Sequence, residues 1–219
     1  MMHRDDRDWQ MPGPPSYFTR RRDGIPVPRL DRFMTGYTNI MKLQISSKTR
    51  ENSYLVMNRQ VWTWEKQFFA TRHGEEPAQS TCGLCGQREN TMHLLFECDI
   101  YSAPLWSILQ ECINRVLSMG ETPHPGITLH AFNVMYNLHI AGLPNVWGDQ
   151  IYILIQEVKR HCVYRRYMRC TTRGQIRYDR LRIAAHLLIV LRKIISLREY
   201  QGRPRAILEE LHIALAEVV

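Results

Sequence analysis

The chain has 219 residues, 44% of them hydrophobic and 23% charged, with a formal net charge of +8. That length holds one ordinary domain or two small ones, and the composition excludes both a disordered polypeptide and a disulfide-dense mini-protein. The charge is unevenly placed. Residues 151–219 carry 14 of the 29 Lys and Arg but only 6 of the 21 Asp and Glu, so the excess lies there and the first 150 residues are neutral. A basic block favours a polyanion partner, nucleic acid being the commonest.

Residues 1–30 read as a flexible arm. Five of the 11 prolines fall there, beside the run Arg20-Arg21-Arg22. Proline fixes φ and removes a donor, so neither a helix nor a central strand fits. The triple Arg reads as a solvated tail or, less simply, as a phosphate or nuclear-import patch. The first residues, Met1 to Asp8, hold no apolar core, so no secretory signal is expected. Residues 31–72 are expected to be helical, with Leu55, Trp62 and Phe69 spaced by seven and Ser53 as a cap. The aromatic group Trp62, Trp64, Phe68 and Phe69 reads as core, with base stacking as the other reading. A polar linker, 74–80, precedes a cysteine cluster.

Beyond Pro104 the residues Leu105, Trp106, Ile108, Leu109, Cys112, Ile113, Val116 and Leu117 form an amphipathic helix ending near Gly120. Another helix is expected over 127–141, ended by Gly142 and Pro144. Three basic helical segments close the chain, at about 149–170, 177–200 and 204–219. In the last two, Leu187, Leu191 and Ile194 face Leu208, Leu211, Leu215 and Val218 with the spacing of a packed antiparallel hairpin. The longest apolar stretch, Ile183 to Leu191, is broken by His186 and falls far short of the roughly 20 residues a bilayer needs, so no membrane partner is expected. The fold class expected is mostly α. A small helical domain (31–120) surrounds the cysteine cluster, connecting elements occupy 121–148, and a basic helical bundle or hairpin occupies 149–219.

The strongest chemical signal is the spacing Cys82-x2-Cys85-x7-His93-x4-Cys98. Two cysteines flanking a Gly-containing turn can place both sulfurs on one ion, because Gly83 and Gly86 leave the turn unstrained and free its N–H groups to face the thiolates. Four soft or borderline ligands within so short a span suit a tetrahedral Zn²⁺ in a reducing, intracellular compartment, nucleus or cytoplasm. A full ligand set implies a structural site with no open position for a catalytic water. Leu94, Leu95 and Phe96 can cover it. Cys112, Cys162 and Cys170 fall on helical faces and read as core thiols.

The run Cys82–Cys98, followed by Tyr101-Ser102-Ala103-Pro104-Leu105-Trp106, resembles the zinc-binding region that follows the polymerase domain in non-LTR retrotransposon reverse transcriptases. There a C-x2-C turn leads through an acidic-Thr pair to His-Leu-Phe-x-x-Cys and a helix opening with Trp. Here Asn90-Thr91 stands at the pair, a departure that leaves the ligands intact. The resemblance covers about residues 40–106. It implies a piece of a retroelement protein, a degenerate copy or a gene fragment. It does not imply polymerase chemistry, which needs paired carboxylates on a hairpin. Asp5-Asp6 lies in the arm and no other catalytic fingerprint is found, so no enzyme is expected.

One helix changes character along its length. Ile151, Ile155, Val158 and Cys162 are spaced 4, 3 and 4, and the same stripe continues into Arg165 or Arg166, then Arg169 and Arg173. Four arginines on a core face would be costly, so the second half is expected to leave the core. Lys159, Arg165, Arg166, Arg169, Arg173 and Arg177 are the candidate contacts to RNA or DNA, bound without regard to sequence, with Tyr164 and Tyr167 placed to stack on bases. A solvated helix end, favourable to the macrodipole, is the competing reading. At the level of function, the two readings are a zinc-containing nucleic-acid-binding module and a zinc-stapled domain that binds another protein.

Overall fold

The computed structural model describes residues 30–58, 60, 61, 63, 81–120, 124–165, 178–196 and 206–217; of 18–20, 26–28 and 166–171 it describes the backbone alone. Across these residues the chain is mostly α-helical. The arm contains one short ribbon, β1 (Phe18–Arg20) and β2 (Pro26–Pro28), paired antiparallel with Thr19 opposite Val27. Pro26 and Pro28 stand at alternate positions, so their missing N–H groups fall on one edge of the strand, where proline is tolerated.

The helical stretch expected over 31–72 is broken. Helix α1 (Leu30–Lys42) and helix α2 (Ser47–Met57) are separated by a short extended link. The cap of α2 is Ser46, whose hydroxyl accepts from the Thr49 N–H at 3.2 Å. Ser53 is no cap: it is buried mid-helix, its one hydroxyl hydrogen shared between Thr49 O and Gln156 Oε1, each at 2.8 Å. Trp62, Trp64, Phe68, Phe69 and the 74–80 linker lie outside the described residues. Helix α1 crosses the chain near Tyr136 so closely that a Cβ on Gly36 would sit 1.9 Å from the Tyr136 carbonyl oxygen, so only glycine fits there.

Helix α3 (Ser102–Ser118) buries the eight apolar positions read from its periodicity. Helix α4 (Ala131–Tyr136) is shorter than the 127–141 expected. It ends at Asn137, which takes the left-handed conformation (φ 55) that Asn tolerates better than most residues, before Gly142 is reached. A 3₁₀ turn, Asn145–Trp147, leads into α5 (Gly148–Thr171), then α6 (Arg180–Ser196) and α7 (Ala206–Ala216). Leu187, Leu191 and Ile194 of α6 and Leu208, Leu211 and Leu215 of α7 are all buried where these two helices pack together. Val218 lies outside the described residues. No described helix is long and apolar enough to cross a membrane.

Helix α5 is the axis of the molecule, packing against α2, α6 and the turn that carries His93. Its stripe Ile151, Ile155, Val158, Cys162 is buried as read, but so are Ile153, Leu154, Gln156, Glu157 and Lys159 between them. A helix enclosed on every side must satisfy its polar groups internally. Thr49 donates to Glu157, whose other oxygen accepts from Arg160 and Lys193, each at 3.2 Å. Gln156 donates to Asn137 Oδ1 at 2.6 Å.

Lys159 is corrected by this enclosure. It is fully buried, and its Nζ donates to Val134 O at 3.0 Å and to Asn137 Oδ1 at 2.7 Å, so it cannot reach a phosphate. Two acceptors match the two hydrogens of a neutral amine and leave none for the third of an ammonium. Burial holds its pKa well below the ordinary 10.5. The unfolded chain therefore binds one more proton than the fold between that lowered value and 10.5, and stability rises with pH across the window. In urea unfolding from pH 7 to 9.5, the wild type should gain stability more steeply than Lys159→Met. Equal slopes would mean that Lys159 stays charged in the fold.

Candidate metal centre

Residues 81–98 build a site from two local devices. The first is a tight turn. Thr81 and Arg88 form an isolated bridge, the Cys82 N–H donates to Gln87 O at 2.6 Å, and the Gly86 N–H donates to Cys82 O at 2.9 Å. Gly86 has φ +74, a left-handed conformation that favours glycine. The N–H groups of Cys85 and Leu84 are directed at the Cys82 sulfur, that of Gln87 at Cys85 and that of Ile100 at Cys98.

The second device is a wide helical turn over His93–Glu97, closed by the Cys98 N–H donating to His93 O, five residues back, at 3.0 Å. On an α-helix of 3.6 residues per turn, positions five apart point about 140° away from each other. A wider turn brings His93 and Cys98 toward one side, and such turns recur at functional sites. Asn90 starts it: its side chain accepts from the His93 N–H at 2.8 Å. Asn90 is thus the cap that orients a ligand. Leu94, Leu95 and Phe96 are buried in the same core cluster as Cys82 and Cys98. Trp106 of α3 clamps them, stacking on Phe96 at 5.5 Å and donating from Nε1 to Leu95 O at 2.6 Å. Ser102 donates to His93 O and accepts from the Cys98 N–H, tying both ligands to the start of α3. Ser102 carried no signal in the sequence; Asn three residues before His was a legible cap.

The four expected ligands converge. The sulfurs of Cys82, Cys85 and Cys98 and a ring nitrogen of His93 all lie within 4.8 Å of one another. Cys82 and Cys98 sulfurs are 3.9 Å apart, and Cys85 Sγ is 3.2 Å from His93 Nε2. On one tetrahedral ion with metal–sulfur bonds of about 2.3 Å, two sulfurs stand about 3.8 Å apart. Cys82, His93 and Cys98 are buried and Cys85 half-buried, so the residues fit a closed site able to hold a metal ion.

The proton balance fits as well. The Cys98 side chain, helped by His93 and by backbone N–H groups, lowers the Cys82 thiol to about 3. Cys98 itself is pushed far above the usual thiol range, first by sharing its proton with Cys82 and then by burial, and burial also raises Cys85. These shifts favour a thiolate at Cys82 and thiols at Cys85 and Cys98 in the metal-free cluster, protons that a divalent ion would displace.

Arg165 is half-buried on α5. Of Arg166 and Arg169 only the backbone is described; Arg173 and Arg177 lie outside the described residues, as does the Cys170 side chain. Cys112 and Cys162 are buried core thiols. Several basic residues already have carboxylates: Arg160 and Lys193 share Glu157, Arg180 meets Glu111 and Arg115 meets Glu217. The chain matches no protein-family model, no curated protein and no solved structure.

Metal binding should release close to two protons per ion, since Cys85 and Cys98 are held protonated, so affinity should rise with pH. Calorimetry in buffers of different ionisation enthalpy reads that number; none released would contradict the ligand set. A Cys82→Ser, Cys85→Ser variant should lose one equivalent of metal and unfold about 10 °C lower. Cys112→Ser, at a buried thiol outside the cluster, should keep its metal.

Proposed function

We propose that the protein is a zinc-binding helical module of the kind that follows the polymerase domain in non-LTR retrotransposon reverse transcriptases, that it binds nucleic acid, and that it has no polymerase chemistry of its own. The observation that carries the reading is the four-ligand cluster together with its clamp. The residues on which the resemblance rests, Cys82, Cys85, His93, Cys98 and Trp106, are the ones that form the site and hold its wide turn against α3. Three sulfurs and one imidazole in near-tetrahedral spacing favour Zn²⁺ over the hard, oxygen-seeking cations. With all four positions supplied by the chain, the ion is structural, and its binding energy goes into the fold, about 10 kcal/mol by comparison with zinc fingers.

Nucleic-acid binding is supported by the placement of the charge. The +8 lies wholly in residues 151–219, and α5 changes from enclosed to exposed between Cys162 and Tyr164. Phosphate contacts of this kind are indifferent to sequence and weaken steeply with salt. The alternative, a zinc-stapled domain that binds an acidic protein surface, draws on the cations already engaged by Glu157, Glu111 and Glu217, which reduce the charge left for a polyanion.

The two readings part on one measurement. Affinity for a short single-stranded RNA, followed from 50 to 200 mM salt, should fall steeply for the wild type. For Arg165→Gln, Arg166→Gln, Arg169→Gln, Arg173→Gln combined, affinity should be lower and the slope flatter by about three. No RNA or DNA binding even at the lowest salt would overturn the nucleic-acid reading and leave the protein-binding one.

A further inference from the structure

Helix α1 carries two apolar faces, and the fold uses one of them. Gly36 and Ile40 are buried, Gly36 against the Tyr136 carbonyl. Leu30, Met34, Tyr37 and Met41 follow one another at spacings of 4, 3 and 4. At 3.6 residues per turn these four fall within an arc of about 60°, centred roughly 110° around the helix from the buried pair. Along this second stripe Leu30 is 76% exposed, Met34 and Met41 are 48% exposed each, and Tyr37 is half-buried. Tyr54 of α2, itself exposed, widens the strip, its ring 6.2 Å from that of Tyr37. Apolar side chains scattered singly over a surface call for no explanation, whereas a contiguous strip of them marks an interface.

The strip has the form of one half of a helix pair. Steps of 4 and 3 make the seam that two supercoiled helices bury between them. The order 4, 3, 4 also reads the same in both directions. An identical helix laid antiparallel therefore sets Leu30 opposite Met41 and Met34 opposite Tyr37, with a twofold axis between Met34 and Tyr37, and every apolar side chain finds a counterpart. Charge selects the same direction. Asp31 at the start of α1 and Lys42 at its end are both exposed and lie on one flank of the stripe. Antiparallel packing brings Asp31 of each copy toward Lys42 of the other and opposes the two helix dipoles. Parallel packing would set like charge beside like.

We infer that α1 is a self-association surface, on which two copies of the chain pair by antiparallel packing of Leu30, Met34, Tyr37 and Met41. The contact is small. A helix of 13 residues is about 20 Å long. One pair of that length buries less than the roughly 1,200 Å² at which stable interfaces begin. The dimer is therefore weak and forms as concentration rises. It depends on neither the basic end of the chain nor any nucleic acid.

Sedimentation equilibrium on the full zinc-loaded chain, free of nucleic acid, tests the pairing. The weight-average mass should climb from 25.9 kDa toward twice that value as protein is raised from about 5 to about 500 µM, the range that a weak interface populates. Met34→Lys puts a charge into the seam at an exposed position, and should hold the chain monomeric with its helicity and metal content unchanged. Leu181→Lys, at a comparably exposed apolar residue of α6, should leave the dimer as it is. Lys42→Glu should weaken the dimer, and adding Asp31→Lys should restore it, because the pair is rebuilt with its signs exchanged. A chain that stays monomeric at every concentration would overturn the inference and leave the strip to a different protein. A dimer that Met34→Lys leaves intact, or one that appears only when RNA is added, would overturn it as well. If the second charge change does not restore what the first removed, the antiparallel arrangement is wrong.

Discussion

From Ile151 to Lys159 helix α5 turns no side chain but Tyr152 even partly outward, and this enclosure sets the terms for its surroundings. A helix buried all round cannot send its polar residues to water. Gln156, Glu157 and Lys159 therefore need partners inside, and α2, α4 and α6 bring them. Thr49 and Ser53 lie on one turn-to-turn face of α2, Asn137 closes α4, and Lys193 comes from α6. An apolar core is tolerant of sliding, whereas a seam of directional bonds is not. The seam fixes how these helices sit around α5.

The candidate metal cluster is tied into the same arrangement through the His93–Glu97 turn, which packs on α5 and α3. Its four ligands lie within 17 residues, so the cluster closes a small loop by itself. It is joined to the rest through the wide turn, whose apolar residues enter the core and are held by Trp106 and Ser102. Metal chemistry and core packing are thereby mechanically continuous. Tyr101, three residues beyond Cys98, caps the link by donating its N–H to Cys98 O at 3.1 Å and sharing its hydroxyl with His186.

Charge is sorted by burial. A count of Lys and Arg in the last third of the chain makes that region uniformly basic, yet its cations have different fates. Lys159 is inside, donating to Val134 O and Asn137 Oδ1, and burial lowers its pKa. Arg160 and Lys193 balance a buried Glu157. Arg180 is paired at the surface, where an ion pair contributes little to stability. Arg165 alone among these has only an imidazole for company. The field that a partner meets is set by what remains after these pairings, which a net charge does not describe.

The ligand set, the helical periodicities and the location of the excess charge were legible in the sequence, because each is a local pattern. Coordination spacing is decided within one short loop, and a 3.6-residue stripe is decided by the residues that form it. Asn90 as a cap was also within reach of local reasoning. The interruption of the first helical region at Ser46 and the early end of α4 at Asn137 were not, since several polar residues compete to end a helix and only packing chooses among them. Nor was the fate of Lys159 or the meeting of Arg165 with His186, 21 residues away. Whether a side chain on α5 is wet or dry depends on how many other helices gather around it. That number is a property of the assembled bundle and is written in no single stretch of chain.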